Sequence, residues 1–121
     1  MKRRILIVDD EFGLAELLSE LLSEEGFDAT IAINGQIGLD SLAENPPDLV
    51  ILDVMMPIMG GPEMARAMKM NPSWASIPII MMTALPSSLP QDTPSLYEAS
   101  LQKPFSPAQL FAKIKLLLDS K

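Results

Sequence analysis

The stretch Leu49-Val50-Ile51-Leu52-Asp53 consists of four consecutive apolar residues followed directly by a carboxylate. A short apolar run without alternation is typical of a strand that is covered on both faces of a sheet. Ile5-Leu6-Ile7-Val8 repeats the pattern and is followed by Asp9-Asp10. The segment from Ile77 to Met82 is a similar run that ends before Thr83. The three runs predict central strands with polar side chains at their carboxyl ends.

Helical periodicity separates the runs, because apolar residues recur there at spacings of three and four residues. The first predicted helix ends at Gly26 and has an apolar face of Leu14, Leu17, Leu18, Leu21 and Leu22. The second extends from Gln36 to Ala43, and the third starts at Pro62 and includes Met64, Ala65 and Met68. The last follows the capping box Ser106-Pro107-Ala108-Gln109 and has an apolar face of Leu110, Phe111, Ile114, Leu117 and Leu118. Asp28 to Ala32 and Ala99 to Gln102 are more polar and predict weaker strands.

Alternating strands and helices favour an α/β fold, with a parallel sheet covered by helices on both faces. The two weaker strands suit the edges, so the predicted order is 2-1-3-4-5, the flavodoxin-like doubly wound arrangement. Pro86, Pro90 and Pro94 lie between the last two strands, and a proline inside a helix costs about 3 kcal/mol. The fourth helix is therefore predicted to be irregular or shortened. Its best remaining piece is capped by Thr93 and continues through Pro94, Leu96, Tyr97 and Glu98.

The composition restricts the classes of function. A chain of 121 residues is expected to form one domain over residues 1–121. The net charge of −7 disfavours binding to nucleic acids and membrane surfaces. The chain has no cysteine and no histidine, so chemistry must rest on carboxylates, lysine, hydroxyls and backbone groups. No apolar run approaches the roughly 18 residues of a membrane span, and we expect a cytoplasmic protein.

The carboxyl ends of neighbouring strands should bring the polar residues together. In the predicted order, ligands bind where the strand order reverses, between strands one and three. Asp9, Asp10 and Asp53 would meet there, with Thr83 and Lys103 at the next two strand ends. The lysine offsets one of the three negative charges, and a hard divalent cation such as Mg²⁺ would neutralise the rest. Lysine and Mg²⁺ together can stabilise a transferring phosphoryl group, and an aspartate can accept it covalently.

Taken singly, these residues have ordinary explanations. An Asp-Asp pair after a strand is more often the acidic start of a helix, with a weight of about 70%. A single Asp at a strand end is usually a turn residue, Thr83 could be only a helix cap, and a lone lysine is usually solvated. Met55, Met56 and Met59 suit filler in a core or loop. The combination matters more, because four strand ends each supply a suitable group.

The sequence resembles the receiver domains of bacterial two-component response regulators. The matching stretches are Ile5 to Glu11, Asp48 to Pro57 with Gly60-Gly61, Ile79 to Ala84, and Lys103-Pro104-Phe105. Together they extend over essentially the whole chain and are specific as a set.

The resemblance implies a role for each site residue. Asp53 would be the phosphoacceptor, and Asp9 and Asp10 the acidic pair. Mg²⁺ would contact Asp10, Asp53 and the backbone carbonyl of Met55, while Thr83 and Lys103 would bind the phosphoryl group. The donor would be a phosphohistidine in a sensor histidine kinase or a histidine phosphotransfer protein. The resemblance also predicts a cis Lys103-Pro104 bond. The output partner or domain is left open.

The sequence also departs from the family pattern and leaves alternatives. Receivers usually carry Tyr or Phe three residues before the lysine, where this chain has Ser100. With the proline-rich segment, this difference keeps open a pseudo-receiver scaffold that accepts no phosphate. An aspartyl-phosphate hydrolase of the haloacid dehalogenase type would have a second Asp two residues after the nucleophile, but Met55 stands there. The chain is therefore expected to be a switch rather than an enzyme, with slow self-dephosphorylation at most.

Overall fold

The computed structural model describes residues 2–91 and 95–119. Five parallel strands form one sheet in the order β2-β1-β3-β4-β5. The strands are β1 (Arg4–Val8), β2 (Asp28–Ala32), β3 (Leu49–Asp53), β4 (Ile79–Thr83) and β5 (Ala99–Gln102). Strands β3 and β4 are buried along their whole length, whereas β2 and β5 are partly exposed. The predicted α/β fold, its strand order and its two edge strands are confirmed.

Four α-helices cover the sheet, namely α1 (Phe12–Glu24), α2 (Gly35–Glu44), α3 (Gly61–Met70) and α4 (Pro107–Asp119). Side chains of α1 and α4 pack with Ile5, Ile7 and Ile51 on one face of the sheet. Side chains of α2 and α3 pack on the other face with Leu6, Val50 and Leu52. Since neighbouring strand residues point to opposite faces, the unbroken apolar runs supply both cores.

Two predicted helix boundaries are present with their hydrogen bonds. Gly26 has a φ of 91° after α1, and Phe27 N donates to Leu22 O at 3.0 Å, which is the Schellman arrangement. At α4, Ser106 N donates to Gln109 Oε1 at 2.8 Å, and Gln109 N donates to Ser106 Oγ at 3.1 Å. This is the reciprocal capping box that the sequence predicts.

The start of β4 differs from the prediction. The strand begins at Ile79 rather than Ile77, because Ile77 N donates to Trp74 O at 3.0 Å and belongs to the preceding turn. Pro78 has no N–H to donate to a neighbouring strand, and it restricts the residue before it.

Between β4 and β5, the described residues contain a single 3₁₀ turn, Pro86–Ser88, and no α-helix. The irregular fourth segment is thereby confirmed. The proposed helical piece is wrong for Leu96, Tyr97 and Glu98, which are non-helical, while Thr93 and Pro94 lie outside the described residues. Leu96 is 8% exposed and packs with Tyr97 against the core beside α3. Apolar anchoring therefore helps to hold the described residues of this segment, which form no α-helix.

Candidate functional site

Three carboxylates meet at the carboxyl ends of β1 and β3. These strands are direct neighbours in the sheet, so Asp9 and Asp10 after β1 lie close to Asp53 at the end of β3. One carboxylate oxygen from each residue lies within 4.8 Å of the others. Asp9 and Asp53 are buried, whereas Asp10 is exposed and opens the cluster to solvent. The structure thus brings together the acidic residues that the sequence singled out.

Lys103 lies directly beside this acidic cluster. Its Nζ is 3.2 Å from Asp9 Oδ2 and 3.3 Å from Asp53 Oδ1. Lys103 N also donates to Thr83 O at 2.8 Å, which holds the end of β5 against the end of β4. The bond from Lys103 to Pro104 is cis, as predicted. One ammonium group therefore faces two buried carboxylates, and the cluster keeps an excess of negative charge.

Burial and the neighbouring charges together shift the pKa of Asp53. It is raised from 3.8 to about 6, mainly by burial of the carboxyl group and next by the negative charge of Asp9. Lys103 lowers the pKa of Asp53, and Asp10 raises it further. Burial of the Lys103 ammonium lowers its own pKa, but Asp53 and Asp9 outweigh that effect and hold the pKa above its ordinary value. A cation among the carboxylates would favour the ionised form of Asp53.

The loop over residues 54–60 lies next to Asp53 and is shaped by Gly61. A Cβ atom at Gly61 would clash with the carbonyl oxygen of Asp53, so only glycine allows α3 to start this close to β3. Met59 packs against the core, whereas Met55 is 71% exposed, so only part of the methionine group serves as filler. Ile58 is in the left-handed region with a φ of 68°.

Thr83 is buried at the end of β4, next to the strand that carries Asp53. Its hydroxyl group is occupied within its own loop. Leu85 N donates to Thr83 Oγ1 at 3.0 Å, and Ser88 Oγ lies 2.8 Å from Thr83 Oγ1. In this structure the hydroxyl is held by residues of the segment that follows it.

Sequence reasoning missed two polar residues in the loops that follow β2 and β4. Asn34 is buried and caps α2 by accepting a hydrogen bond from Ile37 N at 2.9 Å. An Asn before Gly35 could have indicated this N-cap. Ser88 had no sequence signal, because its contact with Thr83 depends on the path of the 3₁₀ turn.

The fold and the cluster define a flavodoxin-like α/β domain with an acidic site at the switch point of its sheet. Residues 5–115 match the response regulator receiver domain, and the chain belongs to that family. Members of this family are signalling switches of two-component systems that interact with histidine kinases, and they bind Mg²⁺ in an acidic pocket.

The curated relatives that the chain matches are longer response regulators. The DNA-binding response regulator MtrA of Mycobacterium tuberculosis is 36% identical over 120 residues, which is 98% of this chain and 51% of that protein. The chain thus spans about half the length of the curated relatives it matches.

Solved structures agree with the fold. The signal receiver domain of a histidine kinase from Syntrophus aciditrophicus has a TM-score of 0.89 and 32% identity, over 98% of this chain and 91% of that one. The chemotaxis protein CheY4 of Vibrio cholerae has a TM-score of 0.89 and 28% identity, over 98% of this chain and 100% of that one. Among residues 2–91 and 95–119, no helix has the length and apolar character needed to cross a membrane.

Proposed function

We propose that this domain, residues 1–121, is a cytoplasmic phosphoacceptor switch in which Asp53 receives a phosphoryl group. The observation that carries the proposal is the position of Asp53. It lies where the strand order reverses, in contact with Lys103 and close to Asp9 and Asp10. Ionised Asp53 supplies the nucleophilic oxygen. Lys103 holds that carboxylate and can pair with the incoming phosphoryl oxygens. Thr83 at the next strand end would donate its hydroxyl proton to one of those oxygens.

The donor set also fits a divalent cation. Asp9, Asp10 and Asp53 offer oxygen ligands within one small volume, and Lys103 offsets only one of their charges. We propose that Asp10, Asp53 and the carbonyl of Met55 hold Mg²⁺, with Asp9 in the same acidic cluster. When bound, Mg²⁺ would neutralise charge on the phosphoryl oxygens during transfer. Asp9 accepts a hydrogen bond from Glu11 N at 2.9 Å, which keeps its carboxylate fixed within the cluster.

The proposed donor is a phosphohistidine of a sensor histidine kinase or a histidine phosphotransfer protein. An apolar groove of about 410 Å³ lies beside Lys103, between α1 and the start of α4. Leu14, Leu17 and Phe105 line it, and Leu17 is 52% exposed. This surface supports a protein donor that docks next to the site. The output remains open, because the relatives include DNA-binding and chemotaxis proteins.

Intact-mass measurement after treatment with acetyl phosphate tests the acceptor. We expect one added phosphoryl group with Mg²⁺, none in EDTA, and none in Asp53→Ala, because both the nucleophile and charge neutralisation are required. Asp40→Asn is the matched control, since Asp40 is an exposed carboxylate on α2. Equal labelling in EDTA or in Asp53→Ala would refute the proposal. A folded wild-type chain that takes no label would instead favour the pseudo-receiver alternative.

A further inference from the structure

The proposed function does not use Ser88, although the hydroxyl group of Ser88 contacts the hydroxyl group of Thr83. Three hydrogen-bonding groups meet here: the two hydroxyls and the carbonyl of Leu85. Ser88 Oγ lies 2.6 Å from Leu85 O, and Thr83 Oγ1 lies 3.0 Å from the same oxygen. Each hydroxyl has one proton to donate, so the three contacts cannot all be hydrogen bonds at once.

The acceptor capacity of Leu85 O decides between the arrangements. A carbonyl oxygen has two lone pairs, and Ser88 N already donates to Leu85 O at 2.9 Å. One hydroxyl can use the remaining lone pair, and Ser88 Oγ is the closer of the two. Thr83 then donates its proton to Ser88 Oγ at 2.8 Å and accepts from Leu85 N. In this arrangement every proton is used once.

We propose that Ser88 is a positioning residue that holds the Thr83 proton until a phosphoryl group on Asp53 competes for it. This inference rests on the proposed function. A phosphoryl oxygen carries negative charge and is a stronger acceptor than the neutral Ser88 hydroxyl. Thr83 has a single proton, so donation to the phosphoryl oxygen requires release of Ser88. No bond to carbon or phosphorus changes in this step, and the proton stays on Thr83.

Release of Ser88 would be transmitted to the segment between β4 and β5. Ser88 is the last residue of the 3₁₀ turn, and the next residue, Leu89, packs against the core beside α3. At the far end, Glu98 is held, because Ile79 N donates to Glu98 Oε1 at 2.7 Å and Lys69 Nζ lies 2.9 Å from Glu98 Oε2. We therefore expect the rearrangement that starts at Ser88 to leave Glu98 in place. It would connect the site to this segment although Ser100 offers no aromatic ring.

Titration with beryllium trifluoride and Mg²⁺, a mimic of the phosphoryl group, tests this role. Ser88→Ala removes the competing hydroxyl and leaves Thr83 only the longer 3.0 Å contact with Leu85 O, so we expect half-saturation at up to about fivefold lower mimic concentration, the factor for one ordinary hydrogen bond. Ser88→Thr keeps the hydroxyl and should restore the wild-type value. Ser87→Ala is the matched control, because Ser87 is the exposed neighbour in the same turn. It should bind the mimic as the wild type does.

Amide hydrogen exchange over residues 86–91 gives the second readout. In the wild type, the mimic should speed exchange there, whereas Ser88→Ala should exchange fast already and change little. Faster exchange in Ser88→Ala with unchanged mimic affinity would mean a merely structural role and would overturn the inference, as would an equal shift in Ser87→Ala. A wild-type chain labelled on Asp53 leaves the proposed function standing in either case. Failure of the wild type both to bind the mimic and to take label would overturn both.

Discussion

At the residue scale, two exposed apolar side chains bear on how long a phosphoryl group would last. Met55 and Leu85 each lie two residues beyond a site residue, Asp53 and Thr83, and are 71% and 64% exposed. In-line attack on an aspartyl phosphate needs a positioned water molecule, and neither side chain offers a group that can orient one. We therefore expect slow self-dephosphorylation and a persistent signal.

The double variant Met55→Asn with Leu85→Glu should shorten that lifetime. One added hydrogen bond to the attacking water is expected to speed decay about tenfold, equivalent to about 1.4 kcal/mol in the transition state. Loss of phosphoryl mass with time, after removal of the donor, measures the rate. Met70→Asn with Leu116→Glu is the matched control, because Met70 at the end of α3 and Leu116 within α4 are exposed residues on other elements. Equal decay in both double variants would show that Met55 and Leu85 do not control the rate.

At the scale of elements, the junction between β3 and α3 determines how the loop beside Asp53 is held. Gly61 N donates to Val54 O at 3.0 Å, and its Cα lies against the backbone of Asp53. Gly13, near the start of α1, has no neighbouring atom within 4 Å of an added Cβ. Gly61 is therefore required by the close approach of two backbone segments, whereas the packing around Gly13 leaves room for a side chain.

Alanine substitutions at the two glycines should change the free energy of unfolding in opposite directions. Gly61→Ala must push α3 away from β3, and we expect the free energy of unfolding to fall by about 2 kcal/mol or more. Gly13→Ala should raise it by about 0.5–1 kcal/mol, since alanine loses less entropy in a helix. Urea denaturation followed by circular dichroism measures both. An unchanged free energy of unfolding in Gly61→Ala would contradict the close packing of Gly61 against Asp53.

At the scale of the whole molecule, the burial of Asp53 beside a second carboxylate lowers the stability of the metal-free fold. The pKa of Asp53 is raised from 3.8 to about 6 in the folded chain. The folded state therefore favours the protonated carboxyl group, and ionisation of Asp53 lowers the free energy of unfolding. That cost is absent below pH 4, develops between pH 4 and 6, and is complete above pH 6.

Asp53→Asn should remove this cost in EDTA. At pH 7 we expect its free energy of unfolding to exceed that of the wild type by on the order of 2–3 kcal/mol, at about 1.36 kcal/mol per pKa unit. The difference should vanish as the pH falls to 4. Denaturation curves between pH 4 and 7 measure it, with Asp40→Asn as the exposed control. A constant difference across that range would rule out the ionisation of Asp53 as its cause.

The sequence by itself determined the strands apart from the start of β4, the strand order, the caps at Gly26 and Ser106, and the set of residues at the strand ends. Apolar runs, helical spacings and capping residues act over a few neighbours, so they can be read along the chain. Asp28–Ala32, Ala99–Gln102 and the capping box at Ser106 are where the sequence placed them. The acidic site followed from the strand order, because parallel strands bring their carboxyl ends to one edge.

Only the tertiary structure decided which of these groups touch. Lys103 and Asp9 are 94 residues apart in sequence, and their 3.2 Å contact exists only because β5, β4, β3 and β1 lie in one sheet. The path of residues 84–91 depends on the packing of Leu89 against the core, since the prolines of this segment remove the local helical preference. That path brings Ser88 to Thr83. Long-range packing, rather than local propensity, selects such contacts.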